Sequence, residues 1–405
     1  MNENPLDAVD LRAVGARLRE AREARGWTQQ DAADRLGVAR TTMVAIEKGE
    51  RRLKPGELVE LAGLYGRPVA DLLQRGAPAE GFAVQLRGVL PAAPVDTELL
   101  PHLEEFQNLC EDYARLEAMC EAPLRRRYPP EYDIRGVDPE IVAEDVAVGE
   151  RNRLALGEGP LLNLRDLLEA DVGLRIFQMD LPSKVAGLFA FTDSLGGCLA
   201  VNRNHPPERR RASLLHEYGH FLSSRYRPEI HLEQRYERRP AAERFAETFA
   251  RAFLMPASGL RRRFLELERE RSRGITYGDL CRLAHFYAVS VEAMIRRLEE
   301  LRLVPAATWD RLQLEGFRVQ EAQRLLGLTP LATDAEILPA RFVALAVEAW
   351  QEGHLSEGQL ARVLRTDRLG ARERVRRLGE APAGDGDPDE PIDLGAPVVL
   401  RSASG

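Results

Sequence analysis

The stretch HEYGH at residues 216–220 sets the strongest constraint on this chain. A helix turns about 100° per residue, so His216 and His220 project from one face a single turn apart, with Glu217 beside them. Two neutral imidazoles in that spacing can hold a zinc ion, and an adjacent carboxylate can take a proton from metal-activated water. Ser213 and Ser223 share the histidine face, while Leu214, Leu215 and Phe221 supply a buried side, the pattern of a helix lining a cleft. Pro206, Pro207 and Glu208 suit the start of that helix.

A chain of 405 residues exceeds one ordinary core and predicts several domains. The net charge of -7 gives no global reason to bind nucleic acid, so any such site must be local. Between Leu11 and Arg75 thirteen Lys/Arg face nine Asp/Glu, a local surplus of base. Cys110, Cys120, Cys198 and Cys281 form no CxxC pair, which argues against a zinc ribbon and a disulfide framework. With no basic leader and no long apolar run, the expectation is a cytoplasmic protein without membrane contact.

The first segment carries closely spaced helix signals. Leu11, Val14, Leu18 and Ala21 form an apolar stripe ended by Gly26. Thr28 then caps a second helix with Asp31 at its third position, as in a capping box. Gly37 closes it, and Met43 and Ile46 give a third helix its buried side. Helix, tight turn and helix in this order predict a helix-turn-helix.

TQQDAADRLGVARTTMVAIEKGERRLKPGELVELAGLYG resembles the XRE class of phage-repressor-like DNA-binding domains, over about residues 11–75. The resemblance implies double-stranded DNA as partner and a homodimer on DNA, with Arg40, Thr41 and Ala45 facing bases and Gln29 and Thr42 touching the phosphate backbone. A protein-binding helical domain is the alternative.

Residues 76–140 read as linker and spacer, with a short strand at 82–86 and a helix from Leu99 to Met119 that serves as spacer, dimerisation element or core. From Val142 two helices precede strands at 173–178, 188–191 and 198–201, the last two joined by TDSLGG, and the HEYGH helix follows. The next helix, PAAERFAETFARAFLMP, presents Glu243 and Glu247 four apart, with Ala246 and Ala250 small enough to let a neighbouring helix approach. Spacing leaves Glu243, Glu247 and the loop residue His231 as third-ligand candidates.

VNRN, RRRASLLHEYGHFL and ERFAETFARAFLMP together resemble the ImmA/IrrE family of zinc metallopeptidases, over about residues 141–305. The resemblance implies a gluzincin-like α+β domain with a small sheet. In it His216, His220 and Glu243 bind Zn2+, Glu217 is the base, and Glu247 orients a histidine ligand. Mn2+ and Fe2+ suit the same donors. It also implies cleavage of a repressor-type protein, or of the chain itself, in stress or mobile-element control. Ala212, Phe245 and Glu247 depart from the family's usual residues. Tyr218, Tyr226, His231 and Tyr236 are the candidate oxyanion donors, and the strand near 199–201 is a candidate edge for an extended substrate. The alternative is a one-component XRE transcription factor whose metallopeptidase-like domain senses without hydrolysis.

Residues 275–304 again read helix, turn, helix, as a packing module or substrate platform, with direct DNA contact the alternative. Residues 306–379 form a helical C-terminal region whose seven arginines against two acids between Arg362 and Arg377 read as a solvated face, with phosphate contact the alternative, and 380–405 read as a disordered acidic tail. The expected architecture is multidomain and mainly α.

Overall fold

The computed structural model describes residues 11–66, 69–72, 95–227, 229–232, 240–270, 274–331 and 337–379. The strand expected at 82–86 and the acidic tail lie outside these residues. The chain divides into two units, one of residues 1–115 and 123–339, the other of 116–122 and 340–405. Among the described residues no helix is long and apolar enough to cross a membrane.

The N-terminal part of the first unit is all helical: α1 (Leu11–Ala24), α2 (Gln29–Leu36), α3 (Arg40–Glu47), α4 (Pro55–Tyr65) and α5 (Val69–Leu72). Val14, Leu18, Ala33, Met43, Ile46 and Leu61 are its buried centre. Local chemistry fixes the α2 boundaries. Thr28 and Asp31 exchange capping-box hydrogen bonds at its start, and Gly37, at φ 71, ends it in the left-handed region open to glycine.

The second part of this unit surrounds a four-stranded sheet in the order β1-β3-β2-β4, with β1 (Arg175–Met179), β2 (Val185–Thr192), β3 (Gly196–Asn202) and β4 (Glu229–Leu232). β3 runs parallel to β1 and antiparallel to β2, and β2 is antiparallel to β4. β3 is therefore a central strand whose backbone is paired on both sides. The expectation that residues 199–201 could receive a substrate by edge pairing is corrected, because no row of unpaired backbone groups is left there.

The segment expected as spacer is core. Its helix spans Val95–Met119, and Phe106 and Tyr113 are fully buried with their rings edge-on to Phe177 of β1, at 6.5 and 6.2 Å. Residues 123–134 also join this domain. Tyr132 N–H donates to the Leu222 carbonyl at 2.8 Å, satisfying the last turn of the HEYGH helix, and Arg225 donates to the Pro129 carbonyl at 2.6 Å. At the other end the apolar core passes residue 305, taking in Trp309 and Leu312, with Phe317 and Leu328 packed against it. Cys110, Cys198 and Cys281 are buried and not disulfide-bonded.

The pair Tyr277–Tyr287 and Val291–Glu300 acts as the packing module expected of 275–304. Leu280, Ala284, Met294, Ile295 and Leu298 lie in the main core, and buried Arg297 reaches the Met255 carbonyl and the Glu144 carboxylate.

The second unit is built on Ala340–Gln351, Glu357–Val363 and Arg368–Gly379. Arg341 ties its first helix to Glu117 and to the Ala122 carbonyl, at 3.2 and 2.5 Å.

Candidate metal centre

The HEYGH helix spans Pro207–Ser223, with Pro206 as N-cap and Pro207 at the first helical position, where a missing N–H costs nothing. His216 is 6% exposed, and Glu217 and His220 are fully buried, so these polar groups are held out of bulk water. Burial of this kind demands partners.

The partner is Glu243, in the first turn of the helix Ala241–Leu254, where the positive helix end favours a carboxylate. His216 Nε2 lies 3.4 Å from one Glu243 oxygen and His220 Nε2 lies 3.5 Å from the other. The two Nε2 atoms are 2.9 Å apart. A tetrahedral zinc with bonds of about 2.0–2.1 Å separates its ligand atoms by about 3.3–3.4 Å, so the carboxylate distances match and the imidazole pair needs only a small opening. The residues fit a metal: their donor atoms all lie within 4.8 Å of one another.

Two glycines make this geometry possible. A β-carbon at Gly219 would lie 2.8 Å from the Ala246 α-carbon, so only glycine in the fourth place of HEYGH lets the glutamate helix come this close. A β-carbon at Gly187 of β2 would lie 2.5 Å from Glu217 Oε1, so the empty place on the strand is taken by the carboxylate. The alanines of 241–254 signalled the close approach in the sequence. Gly187 was missed, although a glycine inside a strand marks such contacts.

Tyr218 faces elsewhere. Its hydroxyl donates to Glu150 at 2.5 Å and accepts from Arg153 at 3.2 Å, and burial pushes its pKa well up. Glu150 is fully buried and also pairs with Arg153 at 2.6 Å. Tyr218 is thus removed from the oxyanion candidates: it anchors the back of the helix. Tyr226 is 67% exposed, its ring edge-on to Phe191. β4 sets the His231 backbone opposite Gly187, and Tyr236 lies outside the described residues. Glu247 is two-fifths exposed, with an oxygen 3.7 Å from Arg251 Nη1. Asn202, of VNRN, has its Nδ2 within 3.1 Å of the carbonyls of Leu181, Pro182 and Val185, and so shapes the turn that leads into β2 and Gly187.

In the N-terminal domain Arg40 and Thr41 are exposed at the start of α3, and Thr42 and Ala45 are half-buried. Gln29 is held inward. Its Nε2 donates to Glu47 at 2.9 Å, and Glu47 in turn pairs with buried Arg22 at 2.6 Å. The start of α2 is thereby tied to the end of α3, fixing the angle between the two helices.

Residues 13–74 match the family model of a helix-turn-helix domain, and residues 169–299 match that of an IrrE N-terminal-like domain of the peptidase M78 type. No curated protein matches the chain. Among solved structures, that of ComR from Streptococcus suis is similar at 12% identity over 91% of this chain and 94% of that one, with a TM-score of 0.15, too low to carry an argument.

Proposed function

We propose that this chain, which joins a helix-turn-helix domain to an IrrE-like peptidase M78 domain, is a DNA-binding regulator with a zinc-dependent endopeptidase activity that cuts a repressor-type protein, or itself, in a stress or mobile-element response. The observation that carries the reading is Glu217: fully buried, seated against Gly187, and next in the chain to His216 without being one of the three clustered donors. A structural carboxylate has no need of that position, whereas a general base does.

His216, His220 and Glu243 would hold the metal, with zinc first and manganese or iron as substitutes. When bound, it supplies Lewis acidity to a peptide carbonyl and an acidified water. Glu217 would accept the proton of a water whose oxygen bonds to the peptide carbonyl carbon, and would return it to the amine nitrogen released as the C–N bond breaks. Burial excludes competing solvent. Gly187 and the β2 backbone fix where the Glu217 carboxylate can stand, and Glu247 steadies the ligand set from its edge. Arg40, Thr41 and Ala45 read bases, Thr42 touches the backbone, and Gln29, held by Glu47, orders the start of α2 for its backbone contact, in a homodimer on a near-palindromic site.

Incubation of zinc-loaded chain with the repressor encoded nearest its gene, followed by mass spectrometry, tests the reading. Discrete fragments, lost in Glu217→Gln, are expected. Intact repressor together with zinc-dependent changes in DNA binding would replace the peptidase by a non-hydrolytic sensor.

A further inference from the structure

We propose that the C-terminal unit is a second DNA-binding module, a helix-turn-helix that uses the arginine stripe of Arg368–Gly379 to contact the phosphates of a duplex. The helix-turn-helix match ends at residue 74, so the assignment rests on the unit's own construction.

Its order repeats that of the N-terminal domain. There, α1 is followed by Gly26 at φ 69, by α2 with its Thr28–Asp31 capping box, by a three-residue turn, and by α3 beginning at Arg40. Here, Ala340–Gln351 is followed by Gly353 at φ 81, by Glu357–Val363 with a Ser356–Gln359 capping box, by a four-residue turn, and by the helix beginning at Arg368. Phe342, Ala346, Leu360, Leu364 and Ala371 are buried, and the middle helix packs against both of the others. Both final helices open on an exposed arginine, Arg40 and Arg368.

The three-helix stretch of this unit shares a local surplus of base with the N-terminal domain. Residues 340–379 hold eight arginines and five acids within a protein of net charge -7. Arg368, Arg372 and Arg376 recur every four residues along one stripe of the last helix and are exposed. Leu369 beside them is 74% exposed at the second helical position, where a side chain in the major groove can touch a thymine methyl. Glu357 pairs with Arg372, and Glu373 with Arg376 and Arg377. Such solvent-facing pairs are weak, and phosphates exchange with them at little cost. The helix pair at 277–300 lacks this character: its second helix buries Arg297 and exposes Glu292 and Glu300.

The test is fluorescence anisotropy of the full chain on a labelled random-sequence DNA duplex across a salt series. Arg368→Ala/Arg372→Ala/Arg376→Ala should weaken binding to every sequence and make the slope of log K against log salt shallower by about two to three. The matching triple lysine variant, which keeps the charge, should keep the slope. Should the alanine variant lose helicity by circular dichroism, Arg362→Ala/Arg368→Ala leaves the Glu357 and Glu373 pairs intact and should lower the slope by about one to two. An unchanged slope in a folded variant overturns the proposal, as does tighter binding of an RNA duplex than of DNA through the same arginines. Arg40→Ala, read by footprinting on the operator, reports on the N-terminal domain separately, so failure of that domain's assignment and failure of this one are distinguishable.

Discussion

Gly219 and Ala246 meet where the histidine helix and the glutamate helix cross, the glycine so close that a β-carbon on it would lie 2.8 Å from the Ala246 α-carbon. This contact sets the distance between Glu243 and the two imidazoles. Gly219→Ala should therefore push the helices apart, lowering stability by about 1–3 kcal/mol, the usual cost of overpacking, and weakening zinc binding along with it. A thermal melt and a zinc competition titration check the two effects, and unchanged zinc affinity would separate the contact from the metal centre.

Gly187→Ala acts on the base alone. Its new methyl group occupies the place of the Glu217 carboxylate, 2.5 Å from Oε1, so the carboxylate must turn away while His216, His220 and Glu243 stay where they are. Zinc content should hold, and the cleavage rate should fall about 100-fold, the scale of a 1 Å misplacement. Full activity would mean that Glu217 acts from another position.

Glu217→Gln should keep the metal and lose proteolysis, because the amide fills the same buried space without accepting a proton. His216→Ala should lose both. Metal analysis and the cleavage assay on the same preparations report the roles, and normal cleavage by Glu217→Gln would remove the peptidase reading.

Glu243 and Glu247 share a helix face, but only Glu243 has its oxygens 3.4 and 3.5 Å from the imidazole nitrogens. Glu243→Ala should abolish tight zinc binding. Glu247→Ala should weaken it by roughly 10–100-fold, the effect of a group that steadies a ligand from outside. A zinc titration giving the reverse order would exchange the two residues.

Arg40→Ala should cost about 1–3 kcal/mol on the operator and relax preference at one base pair, leaving random DNA little affected. Gln29→Ala should weaken all sequences alike. It also removes the hydrogen bond to Glu47, so a stability loss of about 0.5–1.5 kcal/mol should accompany it. Footprinting and a urea melt read these apart, and equal protection of random and operator DNA by the unaltered chain would defeat specific recognition.

What could be read from the sequence was what local chemistry decides. The Thr28–Asp31 cap, the stop at Gly37, the buried Met43 and Ile46, and the one-faced histidines of 216–220 all follow from periodicity and end effects within a few residues, and each stands in the structure. The three strand runs were legible for the same reason. The tertiary structure alone decided the rest. Whether Glu243 or Glu247 reaches the imidazoles depends on how two helices cross, and that is set by Gly219 against Ala246; the alanines signalled a close approach, but not which residue they would meet or at what crossing. The place of β3 inside the sheet depends on pairing with β1 and with β2, which sequence order does not specify. Tyr218 left the reacting centre because Glu150 and Arg153, more than sixty residues earlier, hold its hydroxyl. Elements form from neighbours in the chain; the site forms from neighbours in space, brought together by burial that no short stretch encodes.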